Sequence, residues 1–239
     1  MINLQSINPA IASLPITATI DTALCVGAGG SSGSLADKPI VRTADGKLLI
    51  PASQFKGRLR HECEKLARSL GWNVCDSPKA ETMCPQRNGF SDEEEAGFQH
   101  QYQADDNGDY HCIICQIFGN PSLPASVDFD DLVCNVTADN LPEVIRPGVT
   151  INRSRRMAED QKLYFLETSP ANLKLEFTGQ INIYPNVTPQ AQLLILAALH
   201  HITALGGSKS AGLGWLTWQI QPSNISPTEW KKLIPRGAA

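Results

Sequence analysis

Four of the seven cysteines are spaced for metal chemistry. Cys112 and Cys115 form C-I-I-C, and a gap of two residues is the usual half-site of a structural zinc, letting two thiolates meet one ion at about 2.3 Å. Cys75 and Cys84, in CDSPKAETMC, supply a wider second pair. His61, His111 and Cys63 are the alternatives for one ligand, and buried free thiols are the reading without metal. Four protein ligands leave no open position, so a Zn2+ held there would be structural and would pin an otherwise loose insertion to the preceding helix. An odd number of cysteines in a chain this long also favours ligation over disulfides. Cys25 and Cys134 lie in strand-like runs and read as core.

A second group of residues is suited to phosphate. Asp37 stands in Asp37-Lys38-Pro39, at the end of the glycine- and serine-rich stretch GAGGSSGSLAD from Gly27. A carboxylate on such a flexible or ligand-shaped loop suits general acid–base work or a divalent cation. The plainer reading is an aspartate bonding its own loop backbone. The following PASQFKGRLRHECEKLARSL predicts a helix with Ser53 as N-cap and Phe55, Leu59, Cys63, Leu66 and Leu70 as its apolar stripe. Lys56, Arg60 and Glu64 fall on another face. A helix start with unpaired N–H donors, Gly57, Ser53, Lys56, Arg58 and Arg60 is a phosphate seat; otherwise it is an amphipathic helix with solvated cations. Lys209 and Ser210 in GGSKSAGLG offer a second phosphate run. Arg153, Arg155 and Arg156 form a basic tip between β-prone flanks, able to grip phosphate or simply solvated. His200 and His201 read as helix C-terminal residues in a favourable dipole setting, with an acid–base pair as the other reading.

The elements that must position these groups follow from periodicity. Strands are expected over Pro15–Val26, Val127–Val136 and Asn172–Tyr184, a projecting hairpin over Ile145–Pro170, and a core helix from Thr188-Pro189 to the turn at Gly206. Between Gly89 and Asp109 seven acids stand without a lysine or arginine, which predicts a mobile acidic surface loop. The net charge of -4 comes from that segment; outside it, 17 acids face 20 basic residues. No apolar run approaches the roughly 20 residues of a membrane span. The N-terminus lacks a basic signal-peptide region. The expectation is a cytoplasmic protein with no membrane partner.

The order of elements suits an α+β, ferredoxin-like (RRM-like) domain, with two helices over one face of an antiparallel sheet. Ile50 to Arg60, IPASQFKGRLR, resembles the P-G-S-S-L-K-G-x-x-R signature of the RAMP proteins, with Ala52 and Gln54 departing from it. Gly206 to Gly214 resembles their C-terminal glycine-rich loop. The paired cysteines, running into Ile117-Phe118-Gly119, are similar to the zinc-bearing backbone subunits of type III CRISPR complexes. The resemblance covers about Pro15 to Ile220. It implies a single RAMP domain over 1–239, comprising a palm, a zinc-binding insertion with the acidic loop at 71–120 and a thumb-like hairpin at 143–170. It implies a guide CRISPR RNA, a paired target RNA, other RAMP subunits and a large type III subunit as partners. It further implies that Asp37, in an Asp-x-Pro setting, cleaves target RNA with Mg2+ or Mn2+, while Ser53, Lys56, Arg60 and Lys209 hold the guide backbone. The alternative is a non-catalytic RNA-binding scaffold of the same fold, with Asp37 a loop cap. Guide processing by His200 or His201, or an RNA-free interaction module, are the remaining readings.

Overall fold

Alternation in one strand sets the architecture. In β1 (Ala12–Ile20), Leu14, Ile16, Ala18 and Ile20 are buried, while Ser13, Thr17 and Thr19 point to the other, polar face. The computed structural model describes residues 12–27, 36–137, 141–142, 144–171, 173–221 and 225–235. Its further elements are β2 (Leu49–Ile50), α1 (Ala52–Ser69), α2 (Asp92–Gln101), α3 (Ile113–Phe118), β3 (Val127–Phe129), β4 (Leu132–Cys134), β5 (Val144–Asn152), β6 (Met157–Thr168), β7 (Leu175–Ile183), α4 (Pro189–His201), β8 (Leu216–Ile220) and α5 (Pro227–Trp230).

The chain is mixed α and β with antiparallel sheets. The main sheet has the order β2-β4-β7-β1-β8, with β3 also on β7, and every pairing is antiparallel. Helices α1 and α4 pack on each other and bury their apolar residues in the same core as the sheet. Phe55 of α1 sits at the centre, its ring centroid 5.6 Å from those of Phe129 and Trp218. Strands β5 and β6 form a separate two-stranded hairpin, joined to the rest of the molecule by a parallel bridge between Leu166 and Lys38.

Several sequence expectations need correcting. Ser53 is not the N-cap: the cap is Pro51, two residues earlier, whose φ of -60° is already preset for a helix start, and the helix begins at Ala52. Asp131, from the β3–β4 turn, accepts from the Ala52 N–H at 2.6 Å, so the first free donor is already taken by a carboxylate. The expected mobile acidic loop contains α2, closed by a Ser91/Glu94 capping box with four acids in its first turn, where the helix dipole favours negative charge. The expected strand over Val127–Val136 is broken at Asp130 and Asp131, and β1 stops at Ile20, leaving Asp21–Gly27 for other pairings. The glycine- and serine-rich stretch expected to be flexible or ligand-shaped lies, from 28 to 35, outside the described residues.

Glu62 bolts the two main helices together. Its carboxylate is fully buried, yet lies 2.7 Å from Arg58, 3.1 Å from Lys65 and 2.7 Å from His201 Nδ1. The last contact joins the middle of α1 to the end of α4. Burial pushes the Glu62 carboxyl up, but the hydrogen bonds from His201 and Lys65 and the charge of Arg58 outweigh it, holding it below the ordinary glutamate value. A depressed pKa in the folded state adds stability that is complete above the unfolded value of roughly 4.3 and is lost as pH falls through the folded one. Glu62→Gln is therefore expected to cost about 2 kcal/mol at neutral pH, and the gap to the parent should close below about pH 4 in urea unfolding.

Candidate nucleic-acid interface and metal centre

A short ladder of main-chain hydrogen bonds sets the glycine loop, the aspartate segment and the first helix side by side. Gly207 N–H donates to the Cys25 carbonyl at 2.7 Å, and Gly214 N–H to that of Ala23 at 2.8 Å. Val41 N–H donates to Val26 at 2.9 Å, and Leu49 N–H to Val41 at 3.1 Å, after which the chain enters α1 through Ile50 and Pro51. Glycine is required at the first contact. A Cβ on Gly206 would stand 2.5 Å from the Cys25 carbonyl oxygen, and φ there is +86°.

Asp37 is held by the base of the hairpin. Its N–H donates to the Phe165 carbonyl at 3.0 Å, and its Oδ2 accepts from the Phe165 N–H at 2.7 Å. Glu167 N–H donates to the Lys38 carbonyl, and the buried Glu167 carboxylate accepts from Ile40 N–H at 3.0 Å and Arg42 at 2.9 Å. With both Glu167 oxygens spent, Asp37 remains as an exposed carboxylate with one oxygen fixed.

The expected phosphate ligands divide into paired and unpaired groups. Arg58 is bound to Glu62, while Arg60 lies 3.1 Å from Glu64 and donates to the Gly119 carbonyl at 3.3 Å. Ser53 is exposed in the first turn, and Lys56 has no ion-pair partner among the described residues. Lys209 folds back on the Gly206 carbonyl at 2.9 Å in an exposed turn shared with Ser210. Arg153, Arg155 and Arg156 are exposed at the hairpin tip, whose turn is built by the Asn152 side chain accepting from the Ser154 and Arg155 N–H groups at 3.1 Å. Gly57 has no neighbour within 4 Å of its Cβ position, and it opens onto a groove of about 500 Å³ lined by Arg60, His61 and Glu64.

The sulfurs of Cys75, Cys84, Cys112 and Cys115 all lie within 4.8 Å of one another, and all four residues are buried. Cys75 is 3.6 Å from Cys112 and 3.5 Å from Cys115, close to the edge of about 3.8 Å that a tetrahedron of 2.3 Å Zn–S bonds requires. The set fits a metal ion. Hydrogen bonds from the Cys112 thiol first, then from Cys115 and Cys75, hold Cys84 below the ordinary thiol range; those from Cys112 and Cys75 hold Cys115 below it, while burial pushes Cys112 up. Arg87 brings positive charge to Cys84, grips Glu95 at 2.5 and 2.9 Å and stacks 4.2 Å from the Phe98 ring centre, which fastens α2 to the cluster.

His111 lies beside the cysteines, near Asp105 and Asp109, but its nitrogens are committed. The Asn120 amide oxygen accepts from Ser122 and Leu123, so its nitrogen donates to His111 Nδ1 at 3.1 Å, and Nε2–H faces Asp105 at 3.4 Å. This trio braces the approach to Cys112. The sequence reasoning missed Glu62, Arg87, Asp131 and Glu167. Glu62 alone left a local signal, standing seven residues after Phe55 and three after Leu59 on the apolar stripe.

Residues 17–217 match the family model described as the RAMP superfamily. A search of the curated proteins finds no match.

Metal analysis of the purified chain is expected to find about one ion per chain, lost in Cys112→Ser together with several kcal/mol of stability. A metal-free protein of full stability would show that the four thiols are only core.

Proposed function

The chain belongs to the RAMP superfamily, a CRISPR-associated family of RNA-binding subunits, and from that premise we propose that it is a guide-RNA-binding backbone subunit of a type III effector that cleaves paired target RNA at Asp37. The observation that carries the reading is the ladder: the glycine loop, the Asp37 segment and the start of α1 are adjacent, at the base of a hairpin with a basic tip. In this reading the palm is a ferredoxin-like unit. Two helices on a sheet whose long strands follow the order β7-β1-β8, with β3 and β4 outside β7, support it. The hairpin at 143–170 is its thumb and 71–120 its zinc-bearing insertion. No described helix is long and apolar enough to cross a membrane.

The guide backbone would run past Lys56, Ser53, Lys209 and Ser210, with Arg58 and Arg60 reaching phosphate by sharing it with their carboxylates, and the open face at Gly57 admitting close approach. Asp37 would meet the target strand. Its Oδ2, fixed by the Phe165 N–H, orients the carboxylate, and its other oxygen takes the proton of a target 2′-hydroxyl as that oxygen attacks the adjacent phosphorus. The bond to the 5′-oxygen breaks, leaving a 2′,3′-cyclic phosphate and a 5′-hydroxyl once the leaving oxygen gains a proton from water. A Mg2+ or Mn2+ ion, when bound, neutralises charge on the transferring phosphate. With Glu167 committed to Ile40 and Arg42, Asp37 would be the carboxylate of this segment left to hold such an ion, together with water and RNA oxygens.

A second reading, a non-catalytic scaffold, is favoured by the same Phe165 bond, since an aspartate that caps a neighbouring strand needs no other role. The two separate in the reconstituted complex. Asp37→Ala is expected to lower target cleavage at least about 100-fold with guide retention unchanged; unaltered cleavage would leave the scaffold. Replacing Arg153, Arg155 and Arg156 together by alanine should flatten the slope of log affinity against log salt for single-stranded RNA by about 2. An unchanged slope would remove the hairpin tip from the RNA path.

A further inference from the structure

A cavity among the described residues lies far from the ladder. Trp72, beyond the end of α1, joins the last residues of α2, the α3 helix, the start of α4 and the turn at Lys232 around a space of about 590 Å³. Helix α4 runs from this cavity at Gln190 to His201 near the glycine loop, so its length of about 20 Å separates the two sites. The volume is that of a small-molecule site.

The walls carry three kinds of group. Trp72 packs against Tyr102 with ring centroids 5.9 Å apart, and its indole N–H is fixed on the Leu233 carbonyl at 2.8 Å, which leaves a rigid aromatic surface. Gln101, Gln103, Gln116 and Gln190 contribute carboxamides, that of Gln101 already bonded to the Asn73 N–H and the Gly71 carbonyl. That of Gln116 is oriented, because its nitrogen donates to the His111 carbonyl at 2.7 Å and its oxygen is left as an acceptor. Lys232 is the permanent cation, and no carboxylate of the described residues lines the cavity.

We propose that this cavity binds a purine nucleotide. A flat ring flanked by carboxamides suits a stacked base, and a glutamine amide pairs its acceptor and donor with the N6 amino group and a neighbouring ring nitrogen of adenine. Guanine presents O6 and N1–H to the same donor and acceptor, so the wall takes either purine, whose double ring covers more of the indole than a pyrimidine does. Lys232 takes the phosphate at the open side. The ligand is a mononucleotide in a recess open on one side, a different object from the extended strand assigned to the ladder.

The test is calorimetric titration of the full chain, freed of nucleic acid by nuclease and high salt, with AMP, GMP, CMP and adenosine. AMP and GMP are each expected to bind one site per chain, with CMP at least about tenfold weaker. Lys232→Ala should weaken AMP about tenfold while leaving adenosine unchanged, and Gln190→Ala should weaken both. Both residues are at the surface, so circular dichroism and melting temperature should match the parent. Replacing Lys56 and Lys209 by alanine should leave AMP binding intact, which separates this site from the RNA reading. No saturation at millimolar AMP, equal affinity for all three nucleotides, or binding indifferent to both cavity variants would each overturn the proposal.

Discussion

Main-chain hydrogen bonding among four short segments decides where the chemical groups of this molecule sit. Residues 206–214, 23–27, 40–42 and 48–50 pair in sequence, and only the last includes a regular strand, of two residues. Strands so short have little stability of their own. They are held by side chains from elsewhere: the buried Glu167 carboxylate on Ile40 and Arg42, and the Ser169 hydroxyl on the Leu24 N–H at 2.8 Å. Both come from the end of the hairpin. The element with the most exposed apolar surface, including Ile151 and Leu163, thus has its root in the most ordered part of the site, and Asp37 takes its position from that root.

The charge distribution follows the same logic. A net charge of -4 is a poor advertisement for a polyanion partner, but Glu62, Glu64, Glu95 and Glu167 each serve as an internal counter-ion for an arginine. Such pairs gain from burial only when both members stay, because a single desolvated charge costs more than the pair contributes. Cations on the outward face of α1 are therefore largely structural in the free chain. Among the described residues, Lys56 and the three arginines at the hairpin tip are the cations of these segments that no carboxylate pairs.

What was legible in the sequence was local and periodic. Helices α1 and α4, strands β1 and β7 and the hairpin all follow from spacing of apolar residues, and the cysteine cluster from a two-residue gap. The acidic stretch misled because composition outweighed a capping box, Ser91 to Glu94, that was there to be read. The helix start misled for a different reason. Its capping carboxylate, Asp131, is 79 residues away, and no window of sequence contains both partners. Glu167 is hidden likewise, sitting in a strand where alternation reads it as an ordinary outward acid. Sequence spacing identifies which groups are present; the long-range pairs that spend some of them on structure emerge only with the fold.

The cysteine cluster belongs to this account through α1. Arg60 reaches the Gly119 carbonyl at 3.3 Å, Ser77 donates to Glu64 at 2.9 Å, and Arg68 donates to the Cys75 carbonyl at 3.2 Å. Three turns of one helix face are thereby tied to the segment that carries the thiols, while the opposite face is sunk in the core at Phe55, Leu59 and Cys63. Loosening the cluster would leave the helix packed but release Arg60 and Glu64 from their outer partners. Because the same helix begins at the ladder, the geometry of its cations toward a strand of RNA is set at one end by hydrogen bonds between backbones and along its flank by the four sulfurs.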